Sequence, residues 1–508
     1  MRRLTLTLTL AVALALPVAT PVAAIAAATD APSLMAQAKA EFDANPKAAL
    51  RDTEKALRLD PSVKGGQLLR AQALAALGRD AEAGVAYRAA LAADPAERLA
   101  SLGLAGVERR VGDPHVALEI LDKLLGTGDD ADARFERALT FTKLKVPDKA
   151  LEDYTALIAT KPSAWAFYNR GWLYAGRDNR ENYARALADF AHADALSPKD
   201  VDTVNSIGDM LINLDQYDEA LARYTAALAI DPKNAAALRG RADALYDLKR
   251  WQEAAATYKE RAQLPDPDDA LVMAAKAFDK AGDAKSAMAS YDRAIRADPH
   301  SADALAGRAD LFDARGERAK ALADYARAIA AAPTDADLRV RRAFVYRHLN
   351  QPEAALADID AALKIDPKSS YALNAEGLIH ADAEEYDAAI AAYDKALAVD
   401  PQLEAAYYNR GIAYVGQGHQ DRAIRDYNAS LRLSPRDPVT LTAKGEAYRL
   451  VDDYPRAIED FDAAIAADPE YALAYWRRAL AHDALDEKPA ADADRARALK
   501  LDPSLDDS

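Results

Sequence analysis

The sequence predicts an all-α protein built as a repeat array. Two observations carry that expectation: an alanine-rich, aromatic-poor composition, and a proline that returns near an acidic residue at one spacing. The chain has 508 residues, 51% of them hydrophobic and only 7% aromatic. Much of the hydrophobic share is alanine, the strongest helix former, which favours closely packed helices. A chain this long exceeds what one compact core organises, so it is either several domains or an array. The prolines decide between the two. Pro61, Pro95, Pro162, Pro198, Pro232, Pro265, Pro299, Pro333, Pro367, Pro401, Pro435, Pro469 and Pro503 form one series, and every step from Pro265 onward is 34 residues. Pro61 and Pro503 lie 442 residues apart, thirteen steps of 34, with one proline missing near Asp129. Fourteen repeats therefore cover about residues 30–505. Self-similarity at one period, sustained this long, does not arise by chance.

Other positions of the repeat keep the same register. Gly208, Gly377, Gly411 and Gly445 occupy the eighth position, and Ala220, Ala321, Ala389 and Ala423 the twentieth. Small residues there let the two helices of a repeat approach closely. Tyr154, Tyr224, Tyr325, Tyr393, Tyr427 and Phe461 occupy the twenty-fourth, where an aromatic ring fills the space between helix B and its neighbours. Proline at the thirty-second position cannot continue a helix. The next helix then starts from a capping side chain: Asp200, Asn234, Ser301, Asp335, Ser369 or Asp437. Gly78, Gly112, Gly282, Gly316 and Gly418 mark the inner turns.

The segment Tyr408-Asn409-Arg410-Gly411-Ile412-Ala413-Tyr414, with Ala423-Ile424 and Asp426-Tyr427 downstream, resembles the tetratricopeptide repeat. The resemblance covers nearly the whole chain beyond residue 28. It implies a right-handed superhelical solenoid of helix-turn-helix units. Departures occur. The first repeat has Gln37 and Thr53 at key positions, the third ends without proline at 126–130, and the last has Arg495 where an aromatic belongs. The fifth is longer near 177–182 and the seventh shorter near 265–268; these joints are bends between sub-arrays or tolerated loop variation. The expected organisation is a signal peptide over 1–28, repeats 1–3 over 29–130, repeats 4–7 over 131–267, repeats 8–14 over 268–505, and an acidic tail over 506–508.

The signal peptide rests on Arg2 and Arg3, an apolar run from Leu4 to Val18, and the small residues Ala23, Ala24, Ala26, Ala27 and Ala28. The run is short for a membrane-spanning helix, which needs roughly 20 residues, and no second apolar stretch follows. The expected location is periplasmic or secreted, with an uncleaved anchor as the alternative. The formal charge is −16, which disfavours nucleic acid as a partner. Cysteine is absent, which excludes disulfides and thiolate chemistry. No two of the seven histidines fall within four residues, so no helical metal pair forms. There is no phosphate-binding Gly-Lys-Ser/Thr loop and no Gly-x-Ser-x-Gly elbow. Catalytic residues, metal ligands and cofactors are accordingly expected to be none.

The resemblance implies that helix A of each repeat lines a concave groove through its second, fifth, sixth, ninth, twelfth and thirteenth positions. Mapped onto this chain, repeat 5 supplies Trp165, Tyr168, Asn169 and Trp172. Repeats 10 to 12 supply Arg341, Phe344, Arg347, Tyr371, Asn374, Tyr408 and Asn409. Repeats 13 and 14 supply Arg449, Trp476 and Arg477. The middle repeats place Asp202, Asp209, Asp243, Asp269, Asp303 and Asp310 there instead. Arginine at the seventh position (Arg170, Arg241, Arg308, Arg342, Arg410, Arg478) is read as structural. Aromatic and arginine side chains anchor protein interfaces, and arginines beside amides suit a carboxylate-bearing peptide. The expected function is an exported adaptor in the bacterial envelope that binds proteins or peptides along the groove. A glycan-handling scaffold in polysaccharide export is the alternative, and an enzyme with an unrecognised site the third reading. An aromatic strip flanked by acids would favour glycan, and a hydrophobic groove ringed by arginine would favour peptide. Mass spectrometry of the protein made in an export-competent bacterial host should show a chain beginning after Ala24, Ala26 or Ala28. A mass that retains Met1–Ala24 would leave the anchor reading.

Overall fold

A computed structural model describes residues 30–265, 267 and 269–507. The expected signal peptide lies outside the described residues. Two units divide the chain, Met1–Thr257 and Tyr258–Ser508. Among the described residues there are 28 α-helices and no strand, and within each unit the helices pack as tandem antiparallel pairs, an all-α solenoid. The N-terminal unit holds α1 (Ala31–Glu41), α2 (Pro46–Leu59), α3 (Gly66–Ala76), α4 (Asp80–Ala93), α5 (Arg98–Val111), α6 (Pro114–Leu125), α7 (Ala131–Lys143), α8 (Pro147–Thr160), α9 (Ala164–Ala175), α10 (Arg180–Leu196), α11 (Val201–Asn213), α12 (Tyr217–Ile230) and α13 (Ala235–Asp247). The division falls inside α14 (Trp251–Arg261). The C-terminal unit continues with α15 (Ala270–Lys280), α16 (Ala284–Ala297), α17 (Ala302–Ala314), α18 (Arg318–Ala331), α19 (Ala336–His348), α20 (Pro352–Ile365), α21 (Ser370–Asp382), α22 (Tyr386–Val399), α23 (Glu404–Gly416), α24 (Gln420–Leu433), α25 (Pro438–Arg449), α26 (Tyr454–Ala467), α27 (Ala472–Ala484) and α28 (Lys488–Leu501). A short 3₁₀ turn, Pro503–Asp507, follows, so residues 506 and 507 of the expected tail end in that turn. No helix among the described residues is long and apolar enough to cross a membrane.

The capping side chains act as the sequence predicts. Asp200, Asn234, Ser301, Asp335, Ser369 and Asp437 each accept a backbone N–H from the first turn of the following helix. The inner turns require a left-handed residue. Gly418 supplies it at φ 78°, but Glu384, Asp452 and Asp486 adopt the same conformation at φ 59–60°. Gly112 differs, with φ −104°, because α5 runs on to Val111 and stops by another geometry.

Within each repeat, close approach of helix A to helix B sets the packing. The alanines at the twentieth position and the aromatics at the twenty-fourth are buried. A Cβ built on Gly377 would lie 2.4 Å from the Tyr393 ring, and one on Gly411 2.5 Å from Tyr427. The eighth position is therefore small because the ring already fills its side-chain volume. The first repeat satisfies the same constraint in reverse. Thr53 replaces the ring, and the larger Gln37 stands opposite, its amide donating to Glu41 at 3.0 Å.

A second constraint is ionic. Six of the seventh-position arginines send Nε and Nη2 to both oxygens of a buried aspartate on helix B of their own repeat, whereas Arg241 meets Thr257 Oγ1 there, Nη2 at 3.3 Å. The pairs are Arg137–Asp153, Arg170–Asp189, Arg308–Asp324, Arg342–Asp358, Arg410–Asp426 and Arg478–Asp494, all at 2.6–2.9 Å. In four repeats the remaining Nη1 reaches an aspartate on helix B of the preceding repeat: Asp122 at 2.7 Å, Asp292 at 2.8 Å, Asp394 and Asp462. One guanidinium thus joins three helices, a fork that only arginine presents.

Repeat 13 tests that reading. Lys444 stands in place of the arginine and meets Asp460 Oδ1 at 2.7 Å, while the buried Oδ2 has no partner. Burial pushes the Asp460 carboxyl above its ordinary range, with Lys444 opposing. Lys444→Arg should supply the missing donor. The expected gain is about 1 kcal/mol, roughly fivefold slower amide exchange in α25 and α26. Unchanged or faster exchange would show that the fork does not fit this repeat.

Candidate partner-binding faces

The residues assigned to binding sit on the first helix of each pair. In the N-terminal unit, α9 carries Trp165, Tyr168, Asn169 and Trp172 on one stripe, at the i, i+3, i+4 and i+7 spacing of a single helix face. Trp165 is 53% exposed and Trp172 43%, whereas the aromatics of the repeat core are buried. Tyr168 lies between them, half-buried, with ring centroids 6.4 Å from each indole and interplanar angles of 79° and 74°. Phe190 of α10 backs both Tyr168 and Trp172 at 5.5 Å. The rings meet at right angles, so they form corners rather than one flat platform. Asn169 turns its amide to its own helix, donating to the Trp165 carbonyl at 2.7 Å.

Helix α11 borders this strip. The Tyr168 hydroxyl lies beside Ser206 and feels the carboxylates of Asp202 and Asp200. Asp202, Ser206, Asp209 and Asn213 share one stripe of α11. Desolvation, and then Asp200, push the Asp202 carboxyl above its usual range. Further along α11 a cleft of about 290 Å³ opens against α13, lined by Asp209, Asn213, Tyr224, Arg239, Gly240 and Asp243. That volume has room for about ten waters. Gly240, at the sixth position, forms part of its wall. A Cβ there would strike the Tyr224 ring at 2.2 Å, so backbone alone covers the ring and no side chain fills the space above it. The Tyr224 hydroxyl donates to Asp209 Oδ1 at 2.6 Å, and Arg239 stands 3.8 Å from Asp243. Asp209 keeps solvent access at the open rim of the cleft, while the surrounding atoms desolvate its carboxyl in part. That desolvation is the main cause raising the carboxyl above its ordinary range; Asp243 adds to it and Tyr224 opposes it. The sequence reading named Asp209 and Asp243 as groove acids but missed the cleft. Its only linear signal is a glycine where neighbouring repeats carry larger groups.

In the C-terminal unit the predicted residues are mostly engaged within the chain. Arg341 pairs with Asp310 and covers the Tyr325 ring at 5.7 Å. Arg347 holds Asp382, with Nη2 at 3.0 Å from Oδ1. Arg449 and Arg477 share Glu446, at 2.8 Å and 3.2 Å. Asn409 donates its amide to buried Asn374 at 3.1 Å. Tyr408 packs against Tyr427 in the core, ring centroids 6.0 Å apart, and Trp476 is partly buried. Tyr371 is the exposed aromatic of the set, 45% open and 6.0 Å from the Phe344 ring. An incoming carboxylate would therefore compete with carboxylates already seated on these four arginines.

Paired antiparallel helices, repeated with one register through both units, define a helical-repeat protein. The tetratricopeptide-repeat profiles match residues 206–270, 272–336, 309–370, 404–437 and 442–505, and the related TPR repeat profile matches 377–418. The chain belongs to the tetratricopeptide-repeat proteins. Among solved structures it is similar to the Cut9–Hcn1 hetero-tetramer of the APC/C, at 17% identity over 90% of this chain and 97% of that one, with a TM-score of 0.40. It is also similar to a tetratricopeptide repeat protein from Parabacteroides merdae, at 25% identity over 46% of this chain and 92% of that one, TM-score 0.39. A third is MamA, at 23% identity over 32% of this chain and 96% of that one, TM-score 0.29. No curated protein matches the chain significantly by sequence.

Asp209 yields a pH prediction. Its folded-state carboxyl titrates above the unfolded one, so its charge opposes folding at neutral pH, and the opposition disappears once both states are protonated. Asp209→Asn should slow amide exchange in α11 and α12 at pH 7, and the gain should vanish below about pH 4. A gain that persists at low pH, or a loss at pH 7, would show that the carboxylate is not the strained partner.

Proposed function

We propose that this chain is a non-catalytic docking scaffold, exported to the bacterial envelope, that holds protein partners on the first-helix faces of its repeats. The observation that carries the reading is the exposed aromatic stripe of α9, Trp165 and Trp172 flanking Tyr168. Large apolar rings clustered and left open to water, two indoles about one tyrosine, mark an interaction site. Export is supported by Arg2-Arg3, the short apolar run and the small residues that follow. Tetratricopeptide repeats commonly serve as interaction scaffolds, consistent with an array that devotes its length to helix pairs.

Glycan handling is the second reading, favoured by an aromatic strip with acids beside it. Sugar stacking asks for ring faces presented in one plane, and the perpendicular rings of α9 do not present one. Peptide side chains, which enter corners one at a time, fit that geometry better.

Affinity capture from a cross-linked envelope fraction tests the proposal. The full chain should capture a defined protein set, Trp165→Ala/Trp172→Ala should lose it, and Tyr408→Ala/Trp476→Ala/Arg477→Glu should keep it, all three showing equal helicity. Loss in the second variant alone would move the docking face to the C-terminal unit. No captured protein with any chain would overturn the scaffold reading.

A further inference from the structure

The α9 stripe, α11 and the cleft against α13 carry one sign of unbalanced charge. Among the described residues Asp202 and Asp209 have no cation paired with them, and Tyr224 donates only a neutral hydroxyl to Asp209. The cations nearby are engaged. Arg170 is held by buried Asp189, and Arg239 stands against Asp243. Exposed indoles add to this, because the face of an aromatic ring is the negative end of its quadrupole. The chain as a whole carries −16, which draws cationic segments toward it.

We infer that the face made by α9, α11 and α13 docks a basic segment of a partner protein, one arginine or lysine side chain lying against the Trp165–Tyr168–Trp172 corners near Asp202 and another entering the Asp209 cleft. This rests on the docking reading above and narrows it to a partner chemistry. The ring corners accept an alkyl stem with a flat or compact cationic head, as aromatic cages do for ammonium groups. The Asp209 carboxylate, which lines the cleft, accepts a hydrogen bond from Tyr224 on one oxygen and keeps further acceptor capacity. A guanidinium there would pair, through charge-assisted hydrogen bonds, with a carboxylate that holds only a neutral hydroxyl. The occupant is distinct from the carboxylate-bearing peptide expected from the C-terminal arginines, because those arginines already hold chain carboxylates.

The test is selection of displayed random dodecapeptides on three full chains: the parent, Trp165→Ala/Trp172→Ala, and Asp202→Asn/Asp209→Asn. The asparagine pair keeps shape and the Tyr224 acceptor, so its helicity should equal that of the parent. The parent should enrich peptides rich in arginine and lysine. Their affinity should fall about tenfold on the asparagine variant, fall as salt rises, and be lost on the tryptophan variant. Neutral or acidic peptides that need the tryptophans would overturn the basic partner while sustaining the docking reading. No enrichment over the tryptophan variant would overturn both. A neutral hexasaccharide that shifts tryptophan emission and displaces the enriched peptides would make the face a glycan site and overturn the proposal.

Discussion

A guanidinium locked between aspartates is the interaction on which the repeat geometry depends. In repeats 4, 9, 12 and 14 the seventh-position arginine touches helix B of its own repeat with two N–H groups and helix B of the previous repeat with a third. Each donor is aimed by a rigid plane, so the fork fixes spacing and angle together. Apolar packing alone tolerates sliding of one helix over another; three bonds to two carboxylates do not. The aspartates of the same repeat are buried, so losing the arginine would leave their charge with no compensation.

The ring at the twenty-fourth position supplies the apolar half of the same geometry. It lies so close to helix A that a small residue stands opposite it; in the first repeat Thr53 takes the ring's place and Gln37 the small residue's. The ring also reaches the next repeat. At Gly240 the ring is covered by backbone beside a cleft; at Arg341 the side chain lies over the Tyr325 ring. The sixth position thus helps to shape the first-helix face above the ring. The proposed partner surface takes in repeats 6 and 7, joined to the uncovered indoles of repeat 5.

Electrostatics separates the two units. The C-terminal arginines that invite an anion are neutralised by Asp310, Asp382 and Glu446, while Asp202 and Asp209 of the N-terminal unit keep their charge without a cation among the described residues. An acidic chain that satisfies its arginines internally and leaves carboxylates beside open aromatic rings is arranged to receive positive charge.

The sequence by itself determined the helix pairs, their number and their register. Those follow from local rules: proline ends a helix, a short polar side chain caps the next, and small and aromatic residues return every 34 positions. The seventh-position arginines were legible as structural for the same reason, since Asp153, Asp324 and Asp426 recur sixteen residues later in phase with them. Only the tertiary structure decided which first-helix residues remain free to bind. Arg341 meets Asp310 across 31 residues, Arg347 meets Asp382 across 35, and Asn409 meets Asn374 across 35. Such partners come from the neighbouring repeat, so their availability depends on how two repeats stack, a relation that no single repeat encodes. The cleft at Gly240 belongs to the same class, because a glycine borders a cavity only when the ring beneath it and the helix beside it are in place.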